Sequence, residues 1–305
     1  MLTGSHQPDA IVALIMRISL THSDTRHRSW LLSAALVAAG LGLAMPFCLP
    51  SHAVAETTAW AQNEGGRMRI VTLPPDAEGK VRGGLEIEPK PGWITYWREP
   101  GEAGIPPKLT VAEGGEATVG ELSYPVPKRV GDGKLLDIGY DQPVTLPFEL
   151  TVNDPKAPKP VTLSSFIGLC RDICIPFQAD FLLNLKAEPV TPPEEFMILQ
   201  KAGAFLPDPP SMDFAVTHYS LTDTHKTLKL ALRLPQKTDT KPQVLVTGPE
   251  GYVLFDEASG KREGDSYTVE MPIEKLPVKY DIKGKHWDIL VIAGTRSMET
   301  SLAFD

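Results

Sequence analysis

From Arg67 onward the chain repeats one pattern: short apolar or alternating runs, each closed by Gly, Pro, Asp or Asn. The run Leu85-Glu86-Ile87-Glu88 alternates at period two, the signature of a half-buried strand. On this pattern the sequence predicts strands over 67–73, 84–88, 93–97, 117–124, 144–152, 161–168 and 177–186. About seven strands with frequent turn signals is the pattern of an immunoglobulin-like sandwich. A second set falls at 214–219, 227–234, 243–247, 252–255, 266–271, 279–282, 288–293 and 301–304 and reads as a smaller sandwich. One helix is predicted over 191–204. Thr191 caps it, Pro192 and Pro193 occupy its first turn, and Phe196, Leu199 and Ala202 or Gly203 share one face. Pro207-Asp208-Pro209-Pro210 cannot continue a helix and marks a linker. The predicted fold class is therefore all-β, two immunoglobulin-like β-sandwich domains with one short connecting helix.

The first 55 residues read differently. Arg26-His27-Arg28 is a basic stretch, and the apolar run from Trp30 to Ala44 follows it. Ala53-Val54-Ala55 then supplies the small residues a signal peptidase accepts, so cleavage is expected after Ala55. The apolar run is shorter than the roughly 20 residues of a membrane span. Residues 1–15 carry no signal character, and Met16 is an alternative start. The expected organisation is a removed leader and upstream extension (1–55), a first sandwich (56–190), a helix and Pro-rich linker (191–210) and a second sandwich (211–305). No stable membrane insertion is expected after cleavage.

Composition narrows the function. Of 305 residues, 30 are basic and 38 acidic, a formal charge of −8. An acidic protein of this kind lacks the basic surface a nucleic-acid partner requires. The 29 prolines and 25 glycines suit short strands and turns. Loss of the leader also removes Cys48, leaving Cys170 and Cys174 as the only cysteines of an exported chain. In that compartment disulfides form and persist.

Three residues separate Cys170 from Cys174, the length of a hairpin tip, and three chemistries fit such a pair. A structural disulfide closing so small a loop removes little unfolded-state entropy, roughly 2 kcal/mol against roughly 4–5 for a 100-residue loop. A redox-active pair needs adjacent sulfurs with at least one accessible, and Arg171 would favour the thiolate while Asp172 opposes it. A Cu(I) site would use the same two thiolates. Zinc wants four ligands, and no His lies within 40 residues of the pair, so no metal ligand set or cofactor is expected. His218 and His225 read as surface residues near strand ends. Trp93-Ile94-Thr95-Tyr96-Trp97-Arg98 reads as a buried strand, with a ligand platform as the alternative.

Several stretches, taken together and in order, are specific. They are 92–101 (GWITYWREPG), 104–107 (GIPP), 124–127 (YPVP), Gly139-Tyr140, 144–147 (VTLP) and 170–176 (CRDICIP). Over residues 84–186 the chain resembles the DsbD N-terminal domain family of thiol–disulfide interchange proteins, in its ScsB-like variant. The resemblance implies a periplasmic immunoglobulin-like domain whose cysteine pair passes reducing equivalents by protein-disulfide reduction. Its implied partners are periplasmic thioredoxin-fold proteins, with a separate membrane electron donor, since the chain reaches Asp305 without an electron-carrying membrane segment. Cys174 matches the cysteine that meets the partner and Cys170 the one that resolves. The resemblance further implies a cap loop over Lys128–Tyr140, with Asp132 in its tip and Leu135 or Leu136 as lid, and places Tyr96 and Tyr140 near the site. Copper handling and a purely structural disulfide remain the alternative functions.

Overall fold

The computed structural model describes residues 57–100, 104–130, 137–186, 193–222, 226–235, 240–248, 253–255, 260–273, 276 and 280–304. The leader, Asp132, Leu135, Leu136, Thr191, Pro192, His225 and Lys279 lie outside the described residues.

In chain order the first half forms β1 (Ala61–Gln62), β2 (Gly66–Thr72), β3 (Lys80–Pro89), β4 (Thr95–Tyr96), β5 (Lys108–Val111), β6 (Ala117–Val119), β7 (Lys128–Val130), β8 (Asp137–Tyr140), β9 (Val144–Val152), β10 (Val161–Cys170) and β11 (Cys174–Leu183). Helix α1 (Pro193–Ala204) follows. The second half forms β12 (Ala215–Leu221), β13 (Thr227–Arg233), β14 (Gln243–Thr247), β15 (Val253–Phe255), β16 (Lys261–Glu263), β17 (Ser266–Pro272), β18 (Lys285–Ala293) and β19 (Arg296–Phe304). The class is all-β and immunoglobulin-like, as the patterning predicts.

In the first half a sheet ordered β1-β2-β3-β9-β6 packs with one ordered β11-β10-β5, and a small sheet β4-β8-β7 lies beside them. Met68, Ile70, Leu85, Ile87, Leu146, Leu150, Leu163 and Ile167 interdigitate in the core, all fully buried. Burial of each such side chain contributes about 1.5–3 kcal/mol. The β2–β3 hairpin closes on Asp76, whose carboxylate accepts the amides of Glu78 and Lys80 at 3.0 and 2.8 Å. Gly79 supplies the positive φ of 83° that this turn requires.

In the second half the sheets β12-β13-β17-β16 and β15-β14-β18-β19 enclose Phe214, Leu230, Val246, Tyr267, Met271, Trp287 and Ile289. The β14–β18 register pairs Leu245 with Leu290. These two join the first half's core instead of the second's. One sheet of the second sandwich therefore has apolar residues on both of its faces.

The structure corrects several boundaries. The expected strand over 93–97 contracts to Thr95–Tyr96. That over 117–124 ends at Val119, after which Gly120 and Ser123 still donate to Glu149 and Pro147 carbonyls at 2.8 and 2.7 Å. Strand β11 starts at Cys174, three residues earlier than predicted. It tolerates Pro176 because it is an edge strand of its sheet, where a missing donor costs no ladder bond. Tyr280 to Ile282 form no strand; the Tyr280 hydroxyl instead accepts the indole N–H of Trp287 at 2.9 Å. The helix buries Glu195 and Ala202, with Phe196, Ile198 and Leu199 half-buried, so the expected face of Phe196, Leu199 and Ala202 is turned inward, Glu195 joins it, and Gly203 is exposed. Glu195 can face inward because it accepts the Thr57 hydroxyl at 2.9 Å.

Candidate functional site

Strands β10 and β11 pair in register over their whole length, down to Cys170 opposite Cys174. Arg171, Asp172 and Ile173 make the turn, held by the Arg171 amide donating to the Ile173 carbonyl at 3.1 Å. The register sets the two Cα atoms 4.1 Å apart, and the sulfurs form a disulfide. Hairpin pairing thus brings the sulfurs together with no contribution from a distant segment.

The two sulfurs sit in unequal surroundings. Cys170 is 3% exposed, whereas Cys174 is exposed. The difference comes from the segment 94–96. Ile94 donates to the Cys170 carbonyl at 2.8 Å and accepts its amide at 3.0 Å. Ile94, Tyr96 and Cys170 then form a small apolar cluster, joined by Val130 of β7. The end of β10, from Ile167 to Cys170, is consequently buried on both faces, while its first half alternates.

Tyr96 is 1% exposed and its hydroxyl lies 3.3 Å from the Cys174 Sγ. A disulfide sulfur carries no proton, so the phenol donates. Burial, and secondarily the Asp137 charge, push the Tyr96 phenol up to about 12. It remains a donor throughout the physiological range. Burial also raises the Asp137 carboxyl.

The other predicted residues divide. The Arg171 guanidinium lies 5.1 Å from the Trp93 ring centroid and pairs with Asp172 at 3.0 Å. Both charges are at the turn, engaged with one another. Tyr140 stands opposite Thr95 in the β4–β8 register, and Tyr96 stands opposite Gly139. Cross-strand partners share a face and neighbours alternate, so Tyr140 faces away from Tyr96. Its hydroxyl donates to the Pro125 carbonyl at 2.7 Å, and burial holds its pKa well above the ordinary value. The structure therefore gathers Tyr96 with Cys170 and Cys174, and sets Tyr140 into the main core. Asp132, Leu135 and Leu136 are outside the described residues. Trp93 and Trp97 are buried. His218 and His286 are exposed.

Two neighbours escaped the sequence reading. Ile94 was legible in principle, since it shares the period-two face of Tyr96. Asp137 was not, because only the folded β4–β8 pairing carries its charge toward Tyr96. Ile173 completes the turn, an isoleucine 66% exposed beside the accessible sulfur.

Comparison with known proteins places this site in a class. Residues 69–186 match the family described as "Thiol:disulfide interchange protein DsbD, N-terminal". That span holds the end of β2 and all of β3 to β11, the cysteine hairpin included, and it matches as a DsbD N-terminal domain. The crystal structure of the N-terminal periplasmic domain of ScsB from Proteus mirabilis superposes with a TM-score of 0.66 at 22% identity. The match covers 82% of this chain and 98% of that one, so the shared fold extends through the second sandwich. The conserved domain protein from Bacillus anthracis aligns over 77% of this chain and 75% of that one, at 10% identity and a TM-score of 0.21, too low to indicate a common fold. No curated protein sequence matches the chain. Among the described residues, no helix is long and apolar enough to cross a membrane.

Proposed function

We propose that the protein is a periplasmic thiol–disulfide interchange protein, released from its leader after Ala55, which passes reducing equivalents between partner proteins through Cys170 and Cys174. The observation that carries this reading is the unequal exposure of the two sulfurs within a DsbD N-terminal domain. In the reduced form the exposed Cys174 thiolate attacks a partner disulfide. A Cys174–partner mixed disulfide forms and one partner thiolate leaves, taking up a proton. The buried Cys170, deprotonated, then attacks Cys174 and expels the second partner thiolate. Two electrons and two protons pass to the partner, and Cys170–Cys174 is left oxidised.

Tyr96 supports the first step. Its buried hydroxyl, poised at the Cys174 sulfur, stabilises a thiolate more than a thiol, because hydrogen bonds to charged acceptors are stronger. Partners with thioredoxin folds present the complementary cysteine pair, and a separate membrane protein re-reduces this one. The cap is assigned to the stretch Lys128–Tyr140, in which Asp132, Leu135 and Leu136 lie outside the described residues. The packing of Val130 against the Cys170 cluster supports that assignment. The division at 56–190, 191–210 and 211–305 is supported by a hydrophobic core in each half, the first of which also takes in Leu245 and Leu290 of the second.

The test is mixed-disulfide trapping. With a thioredoxin-fold partner, Cys170→Ala accumulates a covalent complex through Cys174, and Cys174→Ala gives none. Trapping by neither variant overturns the reading.

A further inference from the structure

We infer that the second sandwich is a brace for the redox site, with Arg98 and Glu299 as its positioning residues; this rests on the reading of Cys170–Cys174 as an exchanging pair. Arg98 follows Tyr96 by two residues. Its guanidinium stacks on the Trp97 ring at 4.3 Å and pairs with the Glu299 carboxylate of β19. Asp288 of β18 lies 4.0 Å away. Both members of the Arg98–Glu299 pair are about three-quarters buried. They lie 201 positions apart in sequence, so the pair ties the two sandwiches together.

Each end of this tie is anchored. On the redox side, Trp97 donates to the Ile138 carbonyl at 2.9 Å, which joins the segment after Tyr96 to β8. On the far side, Glu299 donates its amide to Asp208 at 3.0 Å, and Asp208 donates to Ser297 at 2.9 Å. Beneath the pair, Leu245 and Leu290 of the second sandwich are packed into the first core. A charge pair over an apolar contact fixes position and direction together.

The segment being held is the one whose Tyr96 reaches Cys174. It is also short: Thr95 and Tyr96 pair with β8, and Ile94 adds one bridge to Cys170. Such a segment has few ladder bonds of its own, so its placement depends on what holds its ends. Loss of the Glu299 carboxylate leaves Arg98 with the more exposed Asp288 as its remaining partner, and frees the Tyr96 hydroxyl to move from the sulfur. Cys174 then loses the donor that favours its thiolate.

The test uses the purified protein. Wild type is first equilibrated with glutathione to establish that Cys170–Cys174 exchanges. The reduced protein is then alkylated with iodoacetamide across pH 5–10, with Cys174 modification followed by mass spectrometry. Glu299→Ala slows the reaction at pH 7 threefold or more and leaves the high-pH plateau unchanged. Glu299→Gln, which preserves volume and folding, gives a smaller change in the same direction. Asp213→Asn breaks a surface pair with Arg296 on the same sandwich and leaves the rate unchanged. In the Tyr96→Phe background Glu299→Ala has no further effect, because both act through one contact. Identical pH profiles for wild type, Glu299→Ala and Glu299→Gln overturn the brace alone, as do fully additive effects of Tyr96→Phe and Glu299→Ala. A wild-type pair inert to glutathione overturns the exchange reading and the brace with it.

Discussion

The Tyr96 hydroxyl stands 3.3 Å from the Cys174 sulfur, donated from a side chain that is itself almost wholly buried. Its partner sulfur is the accessible one of the pair. A fixed donor therefore meets the atom that changes charge during exchange. Removing it by Tyr96→Phe raises the Cys174 thiol pKa in the reduced protein and slows its alkylation at pH 7 several-fold. Loss of one hydrogen bond costs about 0.5–1.5 kcal/mol of stability, so the fold survives. The pH profile of iodoacetamide alkylation, set beside urea unfolding, separates the two effects.

Unequal burial predicts unequal labelling. In the reduced protein Cys174 is alkylated at least tenfold faster than Cys170, because Cys170 lies beneath Ile94 and Tyr96. Peptide mapping after a short pulse of iodoacetamide reads this ratio directly. Equal labelling would show that the pocket around Cys170 opens freely.

Glu99 predicts a pH dependence. Burial raises its carboxyl above 4.5, the Asp288 charge adds to this, and Arg98 opposes it. The native state thus holds the Glu99 proton more tightly than the unfolded chain does. This contribution to stability is present in full below about pH 4.5 and is lost as pH rises through the raised native value. Glu99→Gln removes the dependence. The variant is expected to melt higher than wild type at pH 7, with the two curves converging at acid pH. Differential scanning calorimetry between pH 4 and 8 measures this.

Gly168 packs where a side chain has no room. A Cβ there would lie 2.7 Å from the Ile105 Cβ and 3.2 Å from the Tyr96 ring. Gly168→Ala therefore overpacks the end of β10 and is expected to destabilise by about 1–3 kcal/mol, measured by urea titration. It also displaces Tyr96, so Cys174 alkylation slows along with the loss of stability.

Legibility in the sequence followed the range of the interactions. The strands over 144–152 and 243–247 were read to the residue, because a long alternating or apolar run bounded by turn residues states its own limits. Strands β5, β7 and β8 were not read as strands. Each has three or four residues, and pairing across the sheet, not patterning, makes it extended. The helix was legible, and so was its inner face through Phe196, Leu199 and Ala202, but the burial of Glu195 was not, since it depends on the distant Thr57 hydroxyl. The cysteine pair was visible from spacing, and Tyr96 from resemblance. Asp137, the turn of Tyr140 into the main core and the Arg98–Glu299 tie depend on contacts between segments far apart in sequence. No local pattern encodes them.

The central claim is that Cys170 and Cys174 form a working couple, and its midpoint potential tests it most directly. Equilibrating the protein in glutathione buffers of graded composition, with thiols counted by alkylation and mass, gives that potential. The account predicts a value above about −300 mV, within reach of exchange partners; a value well below this belongs to a permanent structural disulfide and would contradict it.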